Sequence, residues 1–408
     1  MPLVESVIAL HSNDPVAPGN LVTVEVDRLY VQDGNSPTIA RLWSKYDLGS
    51  VKDPSRIAFI VDHSVLPPSV AIADRLDEAR RFARSIGVEY LSRGDGVSHV
   101  VALESGWFTP GSIVVGSDSH TCLGGTNQSL SLGMGATDVV AIMATNRTWL
   151  RVPETVVLKI SGSPHPLCTP KDVLLYILRT LPMSTWLYRS VEWSGEWAEG
   201  LSDDEAATVA SMGVEMGAKC VFMPPRNTRM GSQLRPTGQG GAVDYLEVDI
   251  QGLVPQVALP HLPSNSRNLD EVAGTEVGQV FVGTCTNGHY EDIAVAASVL
   301  KGHAVSRDLM MVVTPASRAV ERRAFQDGLL EDLRASGAIV TPPGCGVCVG
   351  VQGPIPSSGR PVLTTMNRNF KGRMGNPAAP IFLASPLVAA ATSILGHIPS
   401  IGELEGLA

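Results

Sequence analysis

Apolar and polar positions fall into two alternating rhythms along most of this chain. Residues 57–61, Ile57-Ala58-Phe59-Ile60-Val61, form a short unbroken apolar run that reads as a buried strand, with Asp62 and His63 at its end. Residues 70–86 then place Ile72, Leu76, Ala79, Phe82, Ala83 and Ile86 on one helical face, and Gly87 follows as a stop. The same order recurs later. Residues 279–282 read as a strand, Cys285 lies in the next turn, and residues 291–301 read as a helix with Ile293, Ala296, Ala297 and Leu300 inward. That helix opens on Glu291-Asp292 and closes on Lys301-Gly302, as the helix dipole and glycine C-caps favour. A strand at 310–313, a helix from about Ser317 and a strand at 338–340 form a further βαβ pattern that runs onto the loop carrying Cys345. Chemically reactive residues thus collect in turns after strands, the usual place for a site in α/β proteins.

A chain of 408 residues exceeds one simple core, so several α/β lobes are expected, with boundaries near 153 and 250: residues 1–153, 154–250 and 251–408. Pro153 and the Gln251-Gly252 turn interrupt the pattern at those points. The 40 glycines and 29 prolines imply many tight loops. The polar stretch 226–241, with four glycines, reads as a mobile surface loop, and residues 207–219 read as one helix.

A formal charge of -9 disfavours a nucleic-acid surface, so an anionic substrate would need a locally basic pocket. The six cysteines do not suggest a secreted disulfide scaffold. The start lacks a basic segment followed by an apolar one, and the longest apolar run, Pro386–Leu395, is too short to span a bilayer. A reducing cytoplasm is expected.

Three cysteines carry the chemistry: Cys285 in Gly283-Thr284-Cys285-Thr286-Asn287-Gly288, and the pair in Gly344-Cys345-Gly346-Val347-Cys348. Three thiolates are one fewer than a complete four-cysteine iron–sulfur or closed zinc site requires, which leaves one metal corner for a substrate oxygen. On spacing alone, a redox pair, a structural zinc site or chance remain open. Asp118-Ser119-His120-Thr121 follows the apolar run Ile113-Val114-Val115, so an acid, a hydroxyl and an imidazole share a strand-end turn. An Asx turn with a surface histidine is the bland alternative. Asp62 beside His63 can hold the imidazole tautomer and raise its basicity, or be merely structural. His99 and Glu192 are uninformative singly. Residues 367–373 hold three cations, Arg368, Lys371 and Arg373, which suit carboxylate binding or a solvated face.

Together these words resemble the aconitase superfamily, specifically the large subunit of the isopropylmalate dehydratase and homoaconitase type. The resemblance runs from about Val22 to Ile398 and rests on Gln32-Asp33-Gly34, Asp62-His63, Asp118-Ser119-His120-Thr121, the Cys285 word, Cys345/Cys348 and Asn367-Arg368-Asn369-Phe370. It implies a three-lobed α/β core without the swivel domain, with a [4Fe–4S] cluster between the lobes held by Cys285, Cys345 and Cys348, one iron left open. It implies a hydro-lyase acting on a hydroxy di- or tricarboxylate, most simply 3-isopropylmalate. Citrate, homocitrate or a substituted malate are alternatives, as is a non-catalytic iron sensor on the same core. By resemblance, His63 with Asp62 would protonate the leaving hydroxyl, and His99, Asp118, His120 and Glu192 would surround the iron-bound water. Gln32 and Ser119 would contact a substrate carboxylate, Arg368 and Arg373 its anionic ends, and Asn287 and Asn367 the cluster. A separate small subunit would complete the site.

Two departures stand out. Cys122-Leu123-Gly124-Gly125 replaces the usual continuation after Thr121, and Ser211 stands where relatives tend to carry Asn. Both bear on which acid is the substrate.

Overall fold

In the computed structural model the chain forms two compact units: Met1–Arg93, Ser98–Ser161 and Met183–Asp249 in the first; Gly94–Val97, Gly162–Pro182 and Ile250–Ala408 in the second. The structure describes residues 1–91, 94–225 and 243–408. The expected loop at 226–241 lies outside the described residues.

The first unit holds two parallel sheets among its described residues. In one, the strands Glu89–Leu91, Ile57–Ile60, Arg28–Gln32, Ile113–Gly116 and Leu130–Gly133 lie side by side in that order. Ile57–Ile60 and Ile113–Gly116 are buried at every position, as strands covered on both faces must be. Ile39, Trp43, Phe59 and Ala83 belong to the core that covers this sheet. The expected helix is Val70–Ser85, capped where Ser69 Oγ accepts the Ile72 amide, with Leu76, Ala79 and Ala83 buried. The second sheet orders Cys220–Phe222, Ser190–Ser194, Thr155–Ser161 and Val243–Asp249.

The single helix expected over 207–219 is two pieces. Asp203–Ser211 starts earlier, on a capping box in which Ser202 Oγ accepts the Glu205 amide and the Glu205 carboxylate accepts that of Ser202. Gly213, just after the break, packs so closely on Val221 that a Cβ there would lie 2.1 Å from Val221 Cγ2. A short turn, Gly213–Met216, follows and closes on the left-handed Gly217.

The second unit carries a mixed sheet in the order Ser266–Asn268, Gln256–Ala258, Ile381–Leu383, Val362–Thr364, Gln279–Gly283, Met310–Thr314 and Ile339–Val340. The last five run parallel. The expected helices appear as Tyr290–Leu300 and Arg318–Gln326. Pro386–Leu395 is a buried helix of 10 residues, apolar but for Thr392 and Ser393, as suits its place in the core. No helix among the described residues is long and apolar enough to cross a membrane.

Candidate active site

In the first unit the expected acid–base residues gather at the C-terminal ends of three neighbouring parallel strands. Gln32 and Asp33 end Arg28–Gln32, Asp62 and His63 follow Ile57–Ile60, and Asp118 to His120 follow Ile113–Gly116. His99 comes from the helix Ser98–Glu104. Parallel strands point their carbonyl ends the same way, so segments far apart in sequence meet at one edge.

Asp62 is fully buried and holds two partners. Its Oδ1 lies 2.5 Å from His63 Nδ1, and its Oδ2 accepts the Ser98 amide at 2.8 Å. Burial opposes its ionisation, but the His63 imidazole outweighs that and keeps its carboxyl below the usual range. His63 turns Nε2 toward Asp118, 3.8 Å from Oδ2. Asp118 is the hub of three imidazoles: its Oδ1 lies 3.9 Å from His99 Nδ1 and 3.5 Å from His120 Nδ1, and accepts the His120 amide at 2.8 Å. Burial opposes its charge as well, yet hydrogen bonding from His120 and the charges of the three histidines hold it well below an ordinary carboxylate.

His99 is 1% exposed, and neither ring nitrogen has a hydrogen-bond partner among the described residues. Burial pushes its pKa down to about 4, so the ring is neutral near pH 7. A buried imidazole with two unsatisfied nitrogens is costly unless something polar completes it. The group can therefore hold one carboxylate ionised, keep one histidine neutral, and present another whose Nδ1 is fixed by a carboxylate. These are the elements of proton transfer.

Two further members escaped sequence reasoning. Glu215 Oε1 lies 3.0 Å from His120 Nε2, and Asp33 Oδ1 accepts the amides of Asp62 and His63. Asp33 does carry a sequence signal, since it follows the apolar run Leu29-Tyr30-Val31 as Asp62 follows its own. Glu215 lies in a glycine-flanked turn that gives no such signal. Glu192 lies elsewhere: its Oε1 accepts the Leu3 amide at 2.7 Å, burial raises its pKa, and it lines a cavity of about 720 Å³ with Met1, Thr155 and Trp193. Gln32 is buried, its amide donating to Ser117 Oγ and its side-chain oxygen accepting the Gly34 amide. Ser119 is exposed, 3.5 Å from His120 Nδ1.

In the second unit the cysteines likewise follow the ends of strands. Cys285 follows Gln279–Gly283, Cys345 and Cys348 follow Ile339–Val340, and Asn367, Arg368 and Arg373 follow Val362–Thr364. Thr284, just before Cys285, sits at φ 74°, a strained conformation for a β-branched residue. Gly346 at φ +57° presses the C-x-x-C loop on the sheet: a Cβ there would lie 2.8 Å from Phe281 Cζ and 2.9 Å from Thr314 Oγ1. All three thiols are buried, and none is in a disulfide. Arg373 Nη2 donates to Cys348 Sγ at 3.3 Å, and Asn367 Oδ1 lies 3.9 Å from Cys285 Sγ. Asn287 Oδ1 and Asn367 Nδ2 are buried without hydrogen-bond partners among the described residues. Reduced buried thiols, a cation at one sulfur and two orphaned amide atoms fit a thiolate-held metal group.

Lys171 supports this edge from beneath. It is fully buried, and its Nζ donates to the carbonyls of Thr365 at 3.0 Å and Met366 at 2.6 Å, just before Asn367. Thr365 Oγ1 in turn accepts the Gly283 amide beside the Cys285 turn.

The model of the aconitase family (aconitate hydratase) matches residues 20–251 and 256–396. The chain belongs to the aconitase family. It is 36% identical to the 3-isopropylmalate dehydratase large subunit of Acetivibrio thermocellus, over 99% of this chain and 100% of that one. It is 40% identical to the protein of that name from Herpetosiphon aurantiacus, over 94% and 92%. A Methanothermobacter thermautotrophicus protein named "Probable methanogen homoaconitase large subunit" is 37% identical over 96% and 95%. The crystal structure of Thermococcus kodakaraensis aconitase X shares the fold, with a TM-score of 0.54 at 12% identity, covering 90% of this chain and 88% of that one. As a member of the aconitase family, the chain is a hydro-lyase.

Proposed function

We propose that the chain is the large subunit of an iron–sulfur hydro-lyase that dehydrates and rehydrates a hydroxy dicarboxylate of the 3-isopropylmalate type, in leucine biosynthesis. The observation that carries this reading is the near full-length identity to proteins of that name, joined to an acid–base group that retains Asp62, His63, His99, Asp118 and His120. The relative named for homoaconitase supports a second reading, the same chemistry on a longer hydroxy tricarboxylate.

Cys285, Cys345 and Cys348 would hold a [4Fe–4S] cluster with one open iron, with Asn287 and Asn367 beside it. When bound, such a cluster supplies a Lewis-acidic iron that polarises a hydroxyl and a carboxylate. The chain's residues bind the substrate and deliver a proton. Gln32 and Ser119 receive one substrate carboxylate, and the guanidinium forks of Arg368 and Arg373 hold the anionic ends. His63, with Nδ1 on Asp62, delivers a proton from Nε2 to the departing hydroxyl. Asp118 keeps its charge and orders the imidazoles around it. His99, neutral near pH 7, offers a ring nitrogen to a polar group without adding charge. Removal of the carbon-bound proton needs a further base, which a small partner subunit would bring. The three lobes 1–153, 154–250 and 251–408 and a cytoplasmic setting complete the proposal.

The test is anaerobic reconstitution with iron and sulfide, addition of a small subunit of the isopropylmalate type, and ultraviolet detection of the unsaturated acid from 3-isopropylmalate, homocitrate and citrate. Preference for 3-isopropylmalate is expected, and activity confined to homocitrate would favour the second reading. Cys285→Ser should lose the cluster's visible absorption, because an oxygen ligand suits soft iron poorly. A full-intensity cluster in that variant would remove Cys285 from the ligand set.

A further inference from the structure

We propose that Tyr30 and Thr121 are positioning residues of the acid–base group. A chain of two hydroxyls, from the phenol through the threonine to the Asp118 carbonyl, seats the turn that carries Asp118 and His120. The proposal deepens the function given above and rests on it for the part Asp118 plays in turnover.

Three neighbouring parallel strands build the seat. Tyr30 in Arg28–Gln32 lies opposite Gly116 in Ile113–Gly116, and Gly116 lies opposite Gly133 in Leu130–Gly133. Residues in register point to the same face of a sheet, so one bulky ring and two glycines form a row. A Cβ on Gly116 would lie 2.2 Å from both Tyr30 Cζ and Thr121 Oγ1. One on Gly133 would lie 2.5 Å from the Asp118 carbonyl oxygen and 2.9 Å from Ser119 Cα. The phenol and the turn therefore occupy space that a larger residue at either position would take.

The hydrogen bonds have one consistent direction. Tyr30 and Thr121 are both 0% exposed, and their side-chain oxygens are 2.6 Å apart. Thr121 Oγ1 also lies 2.6 Å from the Asp118 carbonyl oxygen, which can only accept. The threonine proton thus goes to that carbonyl, and Tyr30 donates to Thr121. Burial, and then the Asp118 charge, raise the phenol's pKa well above its usual value, so this donor keeps its proton. Hydrogen bonds linked in a chain polarise and strengthen one another.

A phenylalanine would fill the same space as Tyr30. What the hydroxyl adds is an anchor for one peptide group, the one that bears the Asp118 side chain. His63 Nε2 and His99 Nδ1 stand 3.8 Å and 3.9 Å from the Asp118 oxygens, beyond hydrogen-bond reach, so those rings do not hold it in place. Its carboxylate is tied instead to its own turn, where Oδ1 accepts the His120 amide at 2.8 Å. If the carbonyl loses its anchor, the peptide can tilt and the carboxylate moves with it.

The experiment follows exchange of the His120 amide hydrogen in the full 408-residue chain. Tyr30→Phe removes one oxygen atom. The His120 amide should then exchange about 2–10-fold faster, the factor for one net hydrogen bond, while the strands Arg28–Gln32 and Ile113–Gly116 keep their protection. Thr121→Val breaks both links and should raise exchange at least as much, and adding Tyr30→Phe to it should change nothing further. Thr121→Ser keeps a hydroxyl and should recover most of the protection that Thr121→Val loses. In the assembled enzyme, kcat of Tyr30→Phe should fall about tenfold, less than the roughly 10²-fold cost of a 1 Å misplacement. Unchanged His120 exchange in Tyr30→Phe, or a rise shared equally by the two strands, would overturn the proposal, since the hydroxyl would then serve packing alone. Exchange needs neither cluster nor partner, so a wrong substrate or an inactive assembly leaves this readout intact. If exchange responds and kcat does not, the seat stands as proposed, and the place of Asp118 in turnover is what fails.

Discussion

At the scale of single residues, the site depends on which groups hold protons. His63→Ala should retain the cluster yet lose about 10²–10⁴-fold in dehydratase rate, the usual contribution of a positioned acid. A loss below tenfold in the assembled enzyme would remove His63 from that role. His99 makes a different prediction, about stability. Its folded pKa of about 4 lies below the ordinary value of 6.5, so between those values the unfolded chain binds a proton that the folded one refuses. Stability from this residue is therefore complete above about pH 6.5 and falls as pH drops toward 4, by roughly 3 kcal/mol in all. Asp33 and Asp172, both raised to about 6, work in the opposite direction across that window, which makes the wild-type profile alone ambiguous. The difference is clean: the stability of wild type minus His99→Asn, from denaturant unfolding, should fall on acidification from pH 7 to 4.5. A constant difference would mean that the His99 ring is not buried neutral. Asp62-His63 and Asp118-Ser119-His120 were legible because neighbours in sequence announced them. Glu215 was not, since it meets His120 only once the chain folds, and Asp33 offered only the signal of the apolar run before it. Glu192 shows the converse, an acid at a strand that turns to the Leu3 amide.

At the scale of elements, the apolar runs ending in Asp62, Asp118 and Cys285 were legible as strands because parallel strands are apolar throughout, and Ser69, Gly87 and Ser317 mark helix limits. The break after Ser211 was not; Gly213 beside it packs closely on Val221, a contact that exists only in the folded chain. Glu215, which meets His120, lies in the short segment after that break. Cys122 Sγ donates to the Ser211 carbonyl at 3.4 Å, which joins the two departures from the family pattern in one buried contact behind His120. The helix Pro170–Thr180 carries a testable dependence of its own. Lys171→Met would keep the length of the side chain and leave the Thr365 and Met366 carbonyls without their buried donor, at a cost of about 1–3 kcal/mol for each unpaired group. Because those carbonyls precede Asn367 and Arg368, the variant should also bind substrate more weakly at saturating cluster. Wild-type stability and KM together would show that the lysine does not hold that loop.

At the scale of the whole molecule, the decisive question is whether the chain turns over by itself. Its near full-length relatives are named large subunits, and this chain covers between 92% and 100% of the three compared. The groups assigned here account for proton delivery to a leaving hydroxyl, for carboxylate recognition and for the thiolate cage. None of the assigned residues removes the carbon-bound proton, and elimination of water requires that step to balance: a C–H bond and a C–O bond break as the double bond forms. A hydro-lyase lacking its base should still bind its metal group and show its absorption while dehydrating negligibly. Purified anaerobically without a partner, the chain is therefore expected to be coloured and nearly inactive, and addition of a small subunit of the same type should restore rate in proportion to complex formed. A base contributes about 10²–10⁴-fold, so the rate gain on mixing should be at least of that order. Full activity of the 408-residue chain alone, unaltered by any small subunit, would mean that a residue within it serves as the base.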